Sequence, residues 1–220
     1  GCSALEHVDD LYSLTRLEYD VFSHCVSLIS VDCSDKLTAI GSSAFFGCKA
    51  LVSIGDLSNV TSIESSVFRG CIALKSIGNM PKLESIGMQC FMGCTALETV
   101  GDLSSLKEIP SETFDGCTSL VSIGDLSNVT IIGSYGFNQC KKLTSIPNLG
   151  SLESVNQFAF SGCESLALLG NLRKLTSFGY SPFVNSPFHN CPNLVLEVLP
   201  DSAAEQYAKD YNMQYTYITE

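Results

Sequence analysis

Residues 48–70 read Cys-Lys-Ala-Leu-Val-Ser-Ile-Gly-Asp-Leu-Ser-Asn-Val-Thr-Ser-Ile-Glu-Ser-Ser-Val-Phe-Arg-Gly, and Cys71 then begins the same pattern again. Cysteine returns every 23 residues at Cys2, Cys25, Cys48, Cys71, Cys94, Cys117, Cys140 and Cys163, and once more at Cys191 after a slip of five residues. Self-similarity at a fixed period in the twenties marks a solenoid, in which each repeat is one coil stacked on the last.

The other columns keep the same beat. Leu51 stands three residues after its cysteine, Ile54 six, Val60 twelve and Ile63 fifteen, and Leu, Ile or Val fills nearly every equivalent position along the chain. Three residues before the following cysteine stands a phenylalanine, in a column that includes Phe45, Phe68, Phe91, Phe114, Phe137 and Phe160. A spacing of three within one repeat fits neither a long amphipathic helix nor a long alternating strand. It fits a chain that winds once per repeat, with short extended arms joined by turns and apolar side chains aimed at a common axis. One coil cannot bury those side chains alone, so neighbours stack to close the core. Glycine recurs just before the cysteine (Gly47, Gly70, Gly93) and just after the sixth-place apolar residue (Gly55, Gly101, Gly124). Both places are expected to be corners where the chain needs a positive φ. The phenylalanines predict a stacked aromatic spine.

The unit L-x-x-I-x-x-L-x-x-L-x-x-I-x-x-x-x-F-x-G-C resembles the BspA-like leucine-rich repeat family, and about eight tandem matches carry the resemblance over nearly the whole chain. It implies an α/β-type leucine-rich repeat solenoid: short stacked parallel strands, turns and short helical segments on the convex side, and a C-terminal helix–strand cap. Residues 1–198 are then one solenoid of about eight or nine coils and residues 199–220 the cap, with a helix over about 202–211 and a strand over about 213–218. One departure is that the family's I-x-I-P segment reads I-G-D-L or I-G-N-M/L here, which is expected to alter the strand edge. The tail stands on its own chemistry as well. Ser202 and Glu205 form a capping box, and Ala204, Tyr207, Ala208 and Tyr211 share one helical face.

Eleven cysteines invite three readings: reduced core thiols, one or two disulfides, or a metal site. Position favours the first. Cys25, Cys48, Cys71, Cys94, Cys117, Cys140 and Cys163 share a repeat position beside core Leu and Phe, and coils sit at about 4.8 Å where a disulfide wants Cβ atoms about 3.8 Å apart. Tight C-x-x-C spacing for zinc is absent from the sequence. Cys90 is read as core too. Cys33 interrupts a polar column and is the expected reactive thiol. That column, eight residues after each cysteine, reads Asp10, Cys33, Asp56, Asn79, Asp102, Asp125, Asn148 and Asn171. Its oxygens suit calcium, or they close Asx turns; the free exchange of Asn for Asp favours turns. His7, His24 and His189 lack a local nucleophile motif and read as turn residues, and no phosphate loop, dinucleotide fingerprint or metalloprotease motif occurs. Asn59 and Asn128 head N-x-T sequons at one repeat phase.

The chain has 220 residues, a net charge of −11 and 23 acidic against 12 basic residues. That balance argues against nucleic acid or an anionic membrane surface as partner, and no apolar run is long enough to insert in a membrane. No cofactor is expected. With no catalytic constellation, a long repetitive face suits protein contacts. The family resemblance adds a cell-surface or secreted bacterial location, and a protein partner such as host extracellular matrix or another cell surface. A monomer is expected. Two sets of residues are candidate contacts. One is the fourth-place column beside the apolar positions: Glu6, Val52, Lys75, Glu98, Val121 and Thr144. The other is the five-residue insertion before Phe188, where Tyr180 and Phe183 either anchor a partner or tuck back to seal the last coils. A rival reading is a structural spacer in a larger envelope protein, and another is an accessory to a glycan or protein receptor. Cys2 superficially passes for a lipidated N-terminal cysteine, but it is in repeat phase.

Overall fold

The computed structural model describes residues 1–9, 11–179 and 186–219. Each coil lays down two short parallel strands. The first ladder runs His7–Val8, Ser30–Val31, Ser53–Ile54, Ser76–Ile77, Thr99–Val100, Ser122–Ile123, Ser145–Ile146, Leu168–Leu169 and Val195–Val198. The second runs Arg16–Leu17, Ala39–Ile40, Ser62–Ile63, Ser85–Ile86, Glu108–Ile109, Ile131–Ile132, Ser154–Val155 and Ser177–Phe178. Register is one repeat, as in His7 opposite Ser30 and Ala39 opposite Ser62. In most strands the outer residue is Ser or another polar side chain and the inner one Ile, Val or Leu. Two residues suffice because the pairing is with the next coil, not within one.

The inward columns meet in a single core. Phe22 to Phe160 form a continuous stack, with ring centroids 5.2–5.4 Å apart and planes within 17° of parallel. Rings held at coil spacing slide slightly past one another, the offset arrangement that aromatic quadrupoles prefer. Phe45 to Phe160 and the leucines three residues after the cysteines from Leu28 to Leu166 are fully buried.

The arm that carries the phenylalanines is a chain of turns, and this corrects the expectation of short helices there. A helix would send every amide to the residue four back. Here alternate amides go to different coils: Phe46 N–H donates locally to Ser43 O (3.0 Å), whereas Phe45 N–H and Gly47 N–H donate to Val67 O (3.0 Å) and Arg69 O (2.8 Å) of the next coil. That alternation needs left-handed residues, found at Ser43 and Gly47 and repeated at Ser66 and Gly70. The described residues contain one α-helix, Ala203–Asp210.

The two glycine columns turn out to have different causes. Gly47, Gly70, Gly93, Gly116 and Gly162 have φ between +68° and +74°, as corners require. Gly55, Gly101, Gly124 and Gly170 do not have a positive φ. A Cβ there would strike the preceding coil, such as Cys33 N at Gly55 and Pro147 O at Gly170. In that column glycine lets two backbones touch.

Three gaps interrupt the ladders, and two have a proline as cause. Gly133 N–H donates to Ile109 O (2.7 Å) one coil back. Pro110, in the equivalent place, has no N–H to give Ile86, and the second ladder breaks there. Pro147 likewise cannot pair with Ile123, and the first ladder breaks. The third gap separates Ile54 from Ile77. There a Cβ on Gly78 would meet nothing within 4 Å, so this coil steps away from its neighbour.

At the C-terminal end the helix closes the core. Ser202 Oγ accepts the Glu205 amide at 3.2 Å, and a strand, Gln214–Tyr217, pairs in parallel with Val195–Val198. Phe188 stacks on Phe160 at 5.9 Å, and Tyr207 from the helix meets Phe188 edge-on at 6.0 Å and lies 3.9 Å from Phe178. The aromatic spine therefore ends on a helical tyrosine. Glu205 is buried rather than outward. Its carboxylate accepts from Asp201 N–H (2.7 Å) and Tyr217 OH (2.6 Å) and pairs with Lys209 Nζ (2.7 Å).

Candidate functional site

The periodic cysteines are the first candidates, and the structure gives them a bonding role. Cys48, Cys71, Cys94, Cys117, Cys140 and Cys163 each donate S–H to the carbonyl of the phenylalanine one coil back, at 3.0–3.2 Å. Each such carbonyl also accepts the amide of its own coil's cysteine, as Phe68 O does from Cys71 at 3.0 Å. A carbonyl has two lone pairs, and the thiol fills the second. Cysteine is thus a small apolar group that carries one weak donor, which alanine would lack.

All eleven cysteines are free. Burial raises the thiol pKa at Cys71, Cys90, Cys94, Cys117 and Cys140, and to about 12 at Cys48. Cys33, the expected reactive thiol, is half-buried against the core and pushed up to about 11, chiefly by desolvation. A thiol with so little thiolate at neutral pH is a poor nucleophile, so that expectation is corrected. Cys90 is fully buried behind Phe91.

The polar column is occupied with its own turns. Asp56 accepts Ser58 N–H (2.8 Å) and Oγ–H (2.9 Å), and Asp102 with Ser104 and Asp125 with Ser127 repeat the arrangement. Asn171 Nδ2 donates to Asn148 Oδ1 at 3.1 Å. The three aspartates close Asx turns and spend both carboxylate oxygens on a serine, whereas the asparagine pair bonds from coil to coil. Among the described residues no three His, Cys, Asp or Glu side chains converge as metal ligands. Asp10 lies outside the described residues.

The sequon asparagines serve the stack: Asn59 Nδ2 donates to Asp35 O and Asn128 Nδ2 to Ser104 O, both at 2.8 Å. His7 Nδ1 is 2.8 Å from Ser30 Oγ, and His24 packs edge-on against Phe46 at 5.0 Å.

The fourth-place column immediately precedes the first-ladder strands. Its backbone continues the ladder, with Val52 N–H donating to Ile29 O (2.9 Å), Glu98 N–H to Lys75 O (2.8 Å) and Val121 N–H to Glu98 O (2.9 Å). Its side chains stand in one row, one coil apart. Val52 and Val121 are 37% and 42% exposed, and Lys75, Glu98, Thr144 and, at the row's end, Glu6 are exposed. Ile29, 38% exposed, belongs in this row; its place four residues after Cys25 is the signal that marks it. The other two candidates, Tyr180 and Phe183, lie outside the described residues.

Comparison with known proteins agrees with this geometry. A family model of the BspA type leucine rich repeat region, in six copies, matches residues 1–98 and 84–203. Among solved structures, the chain is similar to a leucine rich repeat protein of T. pallidum, with 24% identity and a TM-score of 0.60 over 98% of this chain and 87% of that one. It is also similar to a leucine-rich repeat protein from Eubacterium ventriosum ATCC 27560, with 20% identity and a TM-score of 0.63 over 84% of this chain and 62% of that one. At these identities the likeness is one of fold. No curated protein matches the chain. With the repeat model spanning most of its length and the coils built as that repeat requires, this chain belongs to the BspA type leucine-rich repeat family.

Proposed function

We propose that the chain is a non-enzymatic protein-binding module of a bacterial cell-surface or secreted protein, and that it engages its partner through the fourth-place row. The observation that carries this is the row itself: Ile29, Val52, Lys75, Glu98 and Val121 project from consecutive coils, mixing exposed apolar groups with both signs of charge. Interfaces need this mixture, apolar contact for affinity and charge for register. The column carboxylates Asp56, Asp102 and Asp125 are held in turns and the ladder thiols from Cys48 to Cys163 are buried, which supports a binding role over an enzymatic one. The partner is a protein of host extracellular matrix or of another cell surface, and the chain acts as a monomer.

Biolayer interferometry of the chain against immobilised basement-membrane extract tests this. Saturable binding is expected, and Val52→Glu with Val121→Glu should weaken it about tenfold or more, as loss of central apolar contacts does. Tyr180→Ala with Phe183→Ala measures the insertion's share. Binding that survives both pairs of changes overturns the assignment.

A further inference from the structure

A groove of about 440 Å³ crosses the turns that carry the left-handed glycines. Its floor is Gly47, Gly70 and Gly93, three left-handed glycines on successive coils. A Cβ on Gly93 would meet nothing within 4 Å, so the floor is open there, whereas at Gly47 it would lie 2.9 Å from Nδ1 of His24, whose ring closes that end. Its walls are Phe46, Ile72 and Met92, with Val26 at one end, and Val26 and Ile72 are 39% and 47% exposed.

The fold does not require apolar residues here. The same two columns continue along the turn face as Asp115 and Asn138, and as Lys141 and Glu164. Those polar groups satisfy one another: Asn138 Nδ2 donates to Asp115 Oδ1 at 2.7 Å, and Lys141 Nζ pairs with Glu164 at 3.1 Å. One backbone thus carries a self-satisfied surface at one end and an unfilled apolar one at the other.

Charge says what fills it. The protein carries −11 overall, yet no acidic residue lines the groove, and its charged lining is Lys49 and Arg69. The Arg69 guanidinium lies 5.7 Å over the Phe46 ring and gives one N–H to Gln89 Oε1 at 2.8 Å. That leaves the rest of its five donors, and the planar fork suits a carboxylate. We propose that this groove holds an extended segment of a partner protein in which an aromatic or aliphatic side chain stands beside a carboxylate. The apolar side chain lies over the glycines between Phe46 and Met92, and the carboxylate meets Arg69 and Lys49. This rests on the protein-binding reading and adds a second face to it.

The test is fluorescence anisotropy with labelled peptides Gly-Asp-Phe-Glu-Leu-Gly, Gly-Lys-Phe-Lys-Leu-Gly and Gly-Asp-Ser-Glu-Ser-Gly. The first should bind saturably and the others about tenfold or more weakly, since each lacks one half of the recognised chemistry. Lys49→Glu with Arg69→Glu should reverse the preference towards the lysine peptide. Gly93→Asn should fill the floor and weaken the first peptide about tenfold without unfolding the chain, because Asn190 holds the equivalent turn position at φ +55°. Equal binding of all three peptides, no binding of any, or indifference to both variants overturns the proposal. The row variant Val52→Glu with Val121→Glu separates the two faces. If it keeps peptide binding and the groove variants lose it, the groove stands whatever the matrix measurement shows. If the groove variants keep peptide binding, the groove fails even where matrix binding succeeds.

Discussion

The interior of the solenoid and its turn face share one 23-residue period but obey it differently. Inside, the same residue type recurs, because each Phe ring has a ring above and below and each thiol finds the carbonyl one coil back. Outside, only the backbone recurs: the position that holds Phe46 and Met92 in some coils holds Arg69, Asp115 or Asn138 in others. Packing constrains identity where both neighbours are fixed, and solvent leaves identity free where they are not. The residues that break the beat on the outside are therefore those with room to acquire a partner.

The comparison can be pressed from its strongest point. Phe114→Ala removes a ring stacked on both faces and fully buried, and should destabilise by about 3–5 kcal/mol as a core cavity. Urea denaturation measures it, and a loss below about 1 kcal/mol would mean that the spine relaxes to fill the gap. A smaller, local effect is expected at the end of the stack. Lys209, then Tyr217, hold the buried Glu205 carboxyl at a pKa of about 2, below its ordinary 4.5. A lowered pKa stabilises the folded state fully above pH 4.5, and this contribution is lost as pH falls through about 2. Protection of the helix amides against hydrogen exchange, taken relative to their intrinsic rates at each pH, should fall over that window, and Glu205→Gln should flatten the response. The smallest effect belongs to the outside. The Lys141–Glu164 pair is about half exposed, so a double-mutant cycle should give under about 1 kcal/mol and fade with salt.

The architecture was legible because burial in a solenoid is periodic: the cysteine, leucine and phenylalanine columns repeat at the spacing that stacking requires. The helix over residues 203–210 was legible from Ser202 and the alanines that follow. What escaped was what the period does not encode. The two glycine columns look alike in sequence, yet one answers to φ and the other to contact between backbones. Short helical segments on the convex side were implied by the family resemblance alone; the inter-coil amide bonds make that arm a chain of turns instead. Glu205 reads as an ordinary capping residue until Tyr217 folds back onto it. Of the candidate contacts, the fourth-place row was legible as a column, but Ile29 was missed within it. The groove was not legible, because its walls come from two columns that only the left-handed turn at Gly47 brings together.

The ladder gaps carry a mechanical consequence. They fall at three different coil junctions, and at each one the other ladder runs through unbroken: Ser62–Ile63 pairs with Ser85–Ile86 beside the gap at Ile54, Ser76–Ile77 with Thr99–Val100 beside Pro110, and Ile131–Ile132 with Ser154–Val155 beside Pro147. Like the offset joints of a brick course, they leave no plane across which the rod can be snapped by parting side chains alone. A pull along its axis has backbone hydrogen bonds to break at every level.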